Sequence, residues 1–370
     1  MFDFIYWLLS YILPFVGVLT IIVFVHEMGH YWVARWSGIA IHTFSIGFGP
    51  ELIGRTDRLG TRWRLSLIPL GGYVRFVGDM NAASVPDPEA VKDIDPALRD
   101  RLFSQKSVWK RIAVVVAGPL ANVLFTFIVL YGILLGYGRY VVDPVIDQVV
   151  ANSPAATAGL AGGDRVVAVD GFKVRSFSDF QRLVSTSPER PVTIEVERND
   201  QKMQFVLTPD PVEIVDRFGN NIRIGRIGVT RSIETGDYTL FRPSPIEAIA
   251  MTGEEVRFLV ERTFAFLSDF FVGRGDVKQL GGPVKVAQVS GEVASLGFVA
   301  LLNLTALLSL NIGIFNLFPI PLLDGGHLMY YLFEAIKGRP LSRKTQEIGF
   351  RIGLLLVGSL MLFTIFNDIF

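Results

Sequence analysis

Two histidines and a glutamate in the string His26-Glu27-Met28-Gly29-His30 have the types and spacing of a metal-dependent hydrolytic centre. Residues four apart on a helix share a face, so His26 and His30 can offer two imidazoles to one Zn²⁺, with Glu27 beside them as general base for an attacking water. The string closes a run of 22 residues, Phe4 to Val25, that carries no charged side chain, long enough for a membrane helix. Ionisable groups at such depth are costly and usually mark function. A polar helix end with snorkelling or capping histidines is the blander alternative, and it gives Glu27 no role.

A hydrolytic zinc takes three protein ligands and keeps one position open. Beyond the first helix, His42, Asp324 and His327 are the candidates near a membrane boundary. Asp324 ends the stretch Asn316-Leu317-Phe318-Pro319-Ile320-Pro321-Leu322-Leu323-Asp324-Gly325-Gly326, where prolines forbid a regular helix and the glycines allow a tight turn. A carboxylate held there could complete the site, or could simply cap the following helix. Spacing favours Asp324 over His327, although imidazole is an equally ordinary zinc ligand.

These residues have to be positioned by a membrane protein. The 370 residues are half hydrophobic, with a mean hydropathy of +0.43, which predicts several spans and a soluble module. The chain has no cysteine, so a metal site must use His and carboxylate ligands. Zero net charge and the lack of a basic, aromatic-interleaved stripe argue against a nucleic-acid partner. The N-terminal run has no basic leader or small-residue cleavage pattern and is expected to be retained.

Uncharged runs at Ile112 to Gly138, Val293 to Leu323 and Ile352 to Asn367 supply three more spans, the last reaching full length only if Arg351 snorkels. Residues 35–111 carry twelve Lys or Arg, and Lys337, Arg339, Arg343, Lys344 and Arg351 follow the third run. The positive-inside rule places these two loops in the cytoplasm, both termini outside and the 139–292 segment outside.

Residues 41–78 alternate apolar and polar between Gly47, Gly49-Pro50, Gly54, Gly60 and Pro69-Leu70-Gly71-Gly72, predicting a β-ribbon near the metal or a cytoplasmic hairpin. Residues 79–107 read as a connector. Residues 143–210 resemble a bacterial PDZ domain through Gly159-Leu160-Ala161-Gly162-Gly163-Asp164, a domain type that accepts a peptide as an added strand. Ile246 to Phe271 is amphipathic, fit either to lie on the outer membrane surface or to pack into the soluble module.

Four motifs in order, His26 to His30, Gly118-Pro119-Leu120-Ala121-Asn122, the PDZ-like stretch and Asn316 to Gly326, resemble the site-2 protease family of intramembrane zinc metalloproteases, in a version with one PDZ domain. The resemblance implies a polytopic α-helical membrane protein with four transmembrane helices, a membrane-associated β-ribbon and an inserted α+β PDZ domain. It divides the chain into a membrane domain 1–138 with the ribbon at 41–78, a PDZ domain 143–210, a linker with an amphipathic helix 211–292 and a membrane domain 293–370. It also implies Zn²⁺ on His26, His30 and Asp324, catalysis by Glu27, and substrate or oxyanion roles for Asn316 and Asn122. Gly118 would act through close packing. Expected partners are transmembrane protein substrates such as trimmed anti-sigma factors or signal-peptide remnants, membrane lipids, and a peptide on the PDZ domain. The expected location is the bacterial inner membrane. A catalytically inactive scaffold or a zinc transporter would have no use for Glu27.

Overall fold

The computed structural model describes residues 8–78, 96–215, 221–232, 238–272 and 281–369; the start of the first apolar run and most of the expected 79–107 connector lie outside them. The chain forms two compact units, Met1–Leu130 with Asp276–Phe370, and Tyr131–Gly275. Among the described residues, four helices are long and apolar enough to cross a membrane, at Leu9–Trp36, Val108–Tyr137, Phe298–Asn316 and Lys344–Asp368.

In the first unit a π-helical turn, Leu8–Ile12, leads into α1, Leu13–Trp36, with Pro14 where the π-helical turn gives way to the α-helix. Strands β1, Ile41–Thr56, and β2, Arg62–Phe76, pair antiparallel, and each bends at its glycines, so that Phe44 lies opposite both Val74 and Trp63 while Trp63 also faces Arg55. The sheet therefore runs, edge to edge, 72–76, 41–46, 62–66 and 51–56. Residues 41–47 are largely buried and 48–56 exposed, and the outer half shows Leu52, Ile53 and Leu67 on its surface. Phe44 stacks on Trp63 and meets Tyr31 of α1 edge-on, which fastens the sheet to the first span. Helix α2, Val108–Tyr137, follows.

The second unit is built on a four-stranded sheet. Strands β3, Arg139–Val141, and β4, Gln148–Val149, precede the short helix α3, Pro154–Ala158. Then come β5, Arg165–Val169, β6, Phe172–Lys173, helix α4, Phe177–Ser185, β7, Val192–Arg198, and β8, Gln201–Leu207; the sheet order is β6-β5-β7-β8. Alternate residues of β7, Val192, Ile194 and Val196, point into a core with Phe180 and Leu183 of α4. The Gly159 to Asp164 stretch has a local explanation: Gly159 ends α3 at a φ of 91°, and the fully buried Asp164 accepts from the Ala161 amide and from Nε and Nη2 of Arg198. A hairpin of β9, Asp210–Val215, and β10, Asn221–Arg226, follows; β11, Val229–Thr230, pairs with β4, and β12, Thr239–Phe241, with β3. The amphipathic helix α5, Pro245–Phe271, packs into this unit: Phe258 joins the core, and Arg175 and Arg182 pair with Glu254 and Glu255.

Back in the first unit, the run expected as one span from Val293 to Leu323 is divided. Helix α6, Pro283–Ser295, stops before Gly297, whose φ of 111° breaks the helix, and α7 occupies only Phe298–Asn316 because Pro319 and Pro321 follow. After this turn come α8, Asp324–Lys337, and α9, Arg343–Ile369. The Asp368 carboxylate, late in α9, accepts from the Gly282, Val284 and Lys285 amides, closing the open N-terminus of α6.

Candidate metal centre

His26 and His30 lie one turn apart on α1 with their Nε2 atoms 3.1 Å from each other. Asp324 Oδ2, at the first residue of α8, stands 3.0 Å from His26 Nε2 and 3.5 Å from His30 Nε2. Zinc with ligand bonds of about 2.0–2.1 Å in tetrahedral geometry holds its ligand atoms about 3.3 Å apart, so the three donors are spaced for it. Asp324 Oδ2 is buried and accepts no hydrogen bond, although two imidazoles face it. A divalent cation is the partner such an oxygen lacks. His30 Nδ1 donates to the Val114 carbonyl at 2.8 Å, which fixes the tautomer that leaves the Nε2 lone pair free.

Two local devices bring the halves of this cluster together. Gly118 of α2 lies against the imidazoles, and a Cβ there would overlap Nε2 and Cε1 of His30 and crowd His26. On the other half, a Cβ at Gly325 would overlap the Phe318 and Leu317 carbonyls, so only glycine lets α8 start while touching the proline turn that precedes it. Leu322, within that turn, has a φ of 103°, an unfavourable conformation for a branched residue and one that tends to occur where a site is held under strain. The bidentate ion pair from Arg111 of α2 to Glu334 of α8, at 2.6 and 3.1 Å, braces the same assembly, with Arg111 stacked over Tyr331.

A cavity of about 260 Å³ opens on the cluster, lined by His26, Glu27, His30, Asn316, Asp324 and His327 among others. Gly72, Tyr73, Val74 and Phe76 line it too, so the 72–76 edge of the sheet borders the site. Val74, on that edge, brings its backbone beside the Glu27 carboxylate. Glu27 lines the cavity next to the three donors.

The expected residues fall in three groups. His26, Glu27, His30 and Asp324 meet, with Asn316 on the cavity wall, its amide nitrogen donating to Ile312 of its own helix at 3.0 Å. His327 faces the cavity, but the three donor atoms that lie within 4.8 Å of one another belong to His26, His30 and Asp324. His42 is elsewhere, hydrogen-bonded to Thr43 on the exposed side of β1. Asn122 is fully buried behind His26, its amide 3.4 Å from His26 Nδ1. Arg111, Glu334 and Val74 carried no signal in the sequence: Arg111 and Glu334 are 223 residues apart, and Val74 acts through its backbone.

Known proteins align along nearly the whole chain. A protein of Agrobacterium fabrum named as a zinc metalloprotease is 48% identical over 363 residues, covering 98% of this chain and 96% of its own length. One of Mesorhizobium japonicum, also named as a zinc metalloprotease, is 49% identical over 98% of this chain and 99% of its own. The metalloprotease MmpA of Caulobacter vibrioides is 37% identical over 95% of this chain and 93% of its own length. Residues 14–360 match Peptidase family M50, and with the donor cluster and its flanking glutamate the chain belongs to that family of zinc metalloproteases.

Proposed function

We propose that His26, His30 and Asp324 hold the zinc, that Glu27 is the general base, and that the enzyme hydrolyses peptide bonds within transmembrane segments of single-span membrane proteins already trimmed outside the membrane, as a step of regulated intramembrane proteolysis. The observation that carries this reading is the convergence of three donor atoms and Glu27 in one cavity, with His26, Glu27 and His30 on a helix of membrane-spanning length. Bound zinc supplies Lewis acidity to the scissile carbonyl and lowers the pKa of the attacking water to about 7. Glu27 accepts that water's proton and returns it to the leaving amine, a role that contributes roughly 10²–10⁴-fold in rate. Asn316 offers its remaining amide proton to the developing oxyanion.

A helical substrate hides its carbonyls in backbone hydrogen bonds and must unwind before attack. The 72–76 edge would receive the extended segment as an added strand and satisfy its freed polar groups, which lipid cannot do. The exposed apolar half of the sheet suits contact with membrane lipids. In this reading the Tyr131–Gly275 unit contains a PDZ domain, lies in the periplasm with both termini, and either binds a peptide or filters substrates by size; the membrane is the bacterial inner membrane.

Reconstituted protein and a single-span substrate test the chemistry. Glu27→Gln is expected to keep bound zinc while cleavage falls at least about 100-fold. Cleavage at the wild-type rate by this variant would reject the reading.

A further inference from the structure

We infer that Asn122 is a positioning residue: its side-chain oxygen accepts the Nδ1 proton of His26 and so aims the opposite nitrogen at the zinc. The inference rests on His26 being a zinc ligand. Asn122 is 0% exposed, and its amide lies 3.4 Å from His26 Nδ1, on the far side of the ring from the donor cluster. For Nε2 to bind a metal, its lone pair must be free, which puts the ring's one proton on Nδ1. That proton needs an acceptor, and an amide nitrogen is not one. Asn122 Oδ1 is buried without a hydrogen-bond partner. With the amide turned so that Oδ1 faces the ring, the orphaned oxygen gains a donor and the histidine gains its tautomer. His30 already shows the same arrangement, with the Val114 carbonyl as acceptor.

The surroundings hold Asn122 for this task. Thr126 and Ser309 both donate to its backbone carbonyl, at 2.9 and 3.3 Å, and Gly313 of α7 leaves room for its Cβ. These contacts fix its backbone against α7.

The test measures zinc affinity of the full-length protein in lipid nanodiscs by competition with a chromophoric chelator. Loss of the outer partner of a metal-bound histidine typically weakens binding about 10–100-fold, which is the shift expected for Asn122→Leu. Asn122→Asp, which can only accept, is expected to stay within a few-fold of wild type, with the thermal transition of the metal-free protein unchanged. A Leu variant that binds zinc like wild type overturns the inference, and so does a folded Asp variant as weak as Leu. If Leu fails to fold, the Asp variant decides alone: zinc affinity weakened about 10-fold or more overturns the inference. His26→Ala separates the premises: wild-type zinc affinity in that variant rejects the ligand assignment, whereas lost zinc beside an unaffected Asn122→Leu rejects only the role of Asn122.

Discussion

A glycine controls the donor cluster as directly as the donors themselves do. Gly118 has no chemistry of its own, yet a single methyl at its position occupies space now held by both imidazoles. Gly118→Ala is therefore expected to lose zinc at least about 10-fold in affinity, the range seen when a ligand's orientation is disturbed, while the protein still inserts and runs as a monodisperse species. Equal zinc content in Gly118→Ala and wild type would show that α2 can move aside. Asp324 illustrates the other half of residue-scale control. Its position beside the imidazoles depends on a turn that only the Gly325-Gly326 pair can continue, and on the strained Leu322 within that turn.

Among the elements, α8 matters most because it carries Asp324 across to the histidines of α1. Its anchor is the Arg111–Glu334 pair, whose side chains are only 12% and 16% exposed. Removing one member of a largely buried pair leaves the other charge unsatisfied, at a cost of about 3–5 kcal/mol. Arg111→Ala is accordingly expected to lower the midpoint of thermal unfolding in detergent and weaken zinc binding, whereas Arg111→Leu with Glu334→Leu recovers most of the stability. Unequal effects of this kind distinguish a brace from a surface contact; a neutral single variant would rule the brace out. The sheet is the second decisive element. Its 72–76 edge borders the site because the strands fold back at Gly47 and Gly71, both at positive φ.

For the whole molecule, the proposed topology predicts which surfaces are reachable from each side. The chain has no cysteine, so single cysteines report without background. In intact spheroplasts a cysteine at Leu59, exposed in the β1–β2 turn, should resist a membrane-impermeant maleimide until the cells are opened. One at Val206, exposed on β8, should label at once; reversed labelling would invert the orientation. A truncation test of substrate screening must respect the packing of α5. Phe258 belongs to the core of the second unit, so removal of 143–210 alone would strand an apolar face; deletion of 139–275 with a flexible linker avoids this. Intact and trimmed substrates should then be cleaved at similar rates, and retained discrimination would assign screening to the membrane unit.

The i, i+4 histidines, the adjacent glutamate and the uncharged runs were legible in the sequence because each is a local pattern: helix geometry puts His26 and His30 on one face wherever the helix goes. The division of the Val293 to Leu323 run was partly legible, since Pro319 and Pro321 forbid a helix, but the break at Gly297 needed a backbone angle. Asp324 and His327 sit within one turn of α8, and only packing against α1 decides that the Asp324 carboxylate lies with the two imidazole donors. The same holds for Asn122, Arg111, Glu334 and Val74. Their partners lie on other elements, and sequence encodes such meetings only through the packing of every side chain between them.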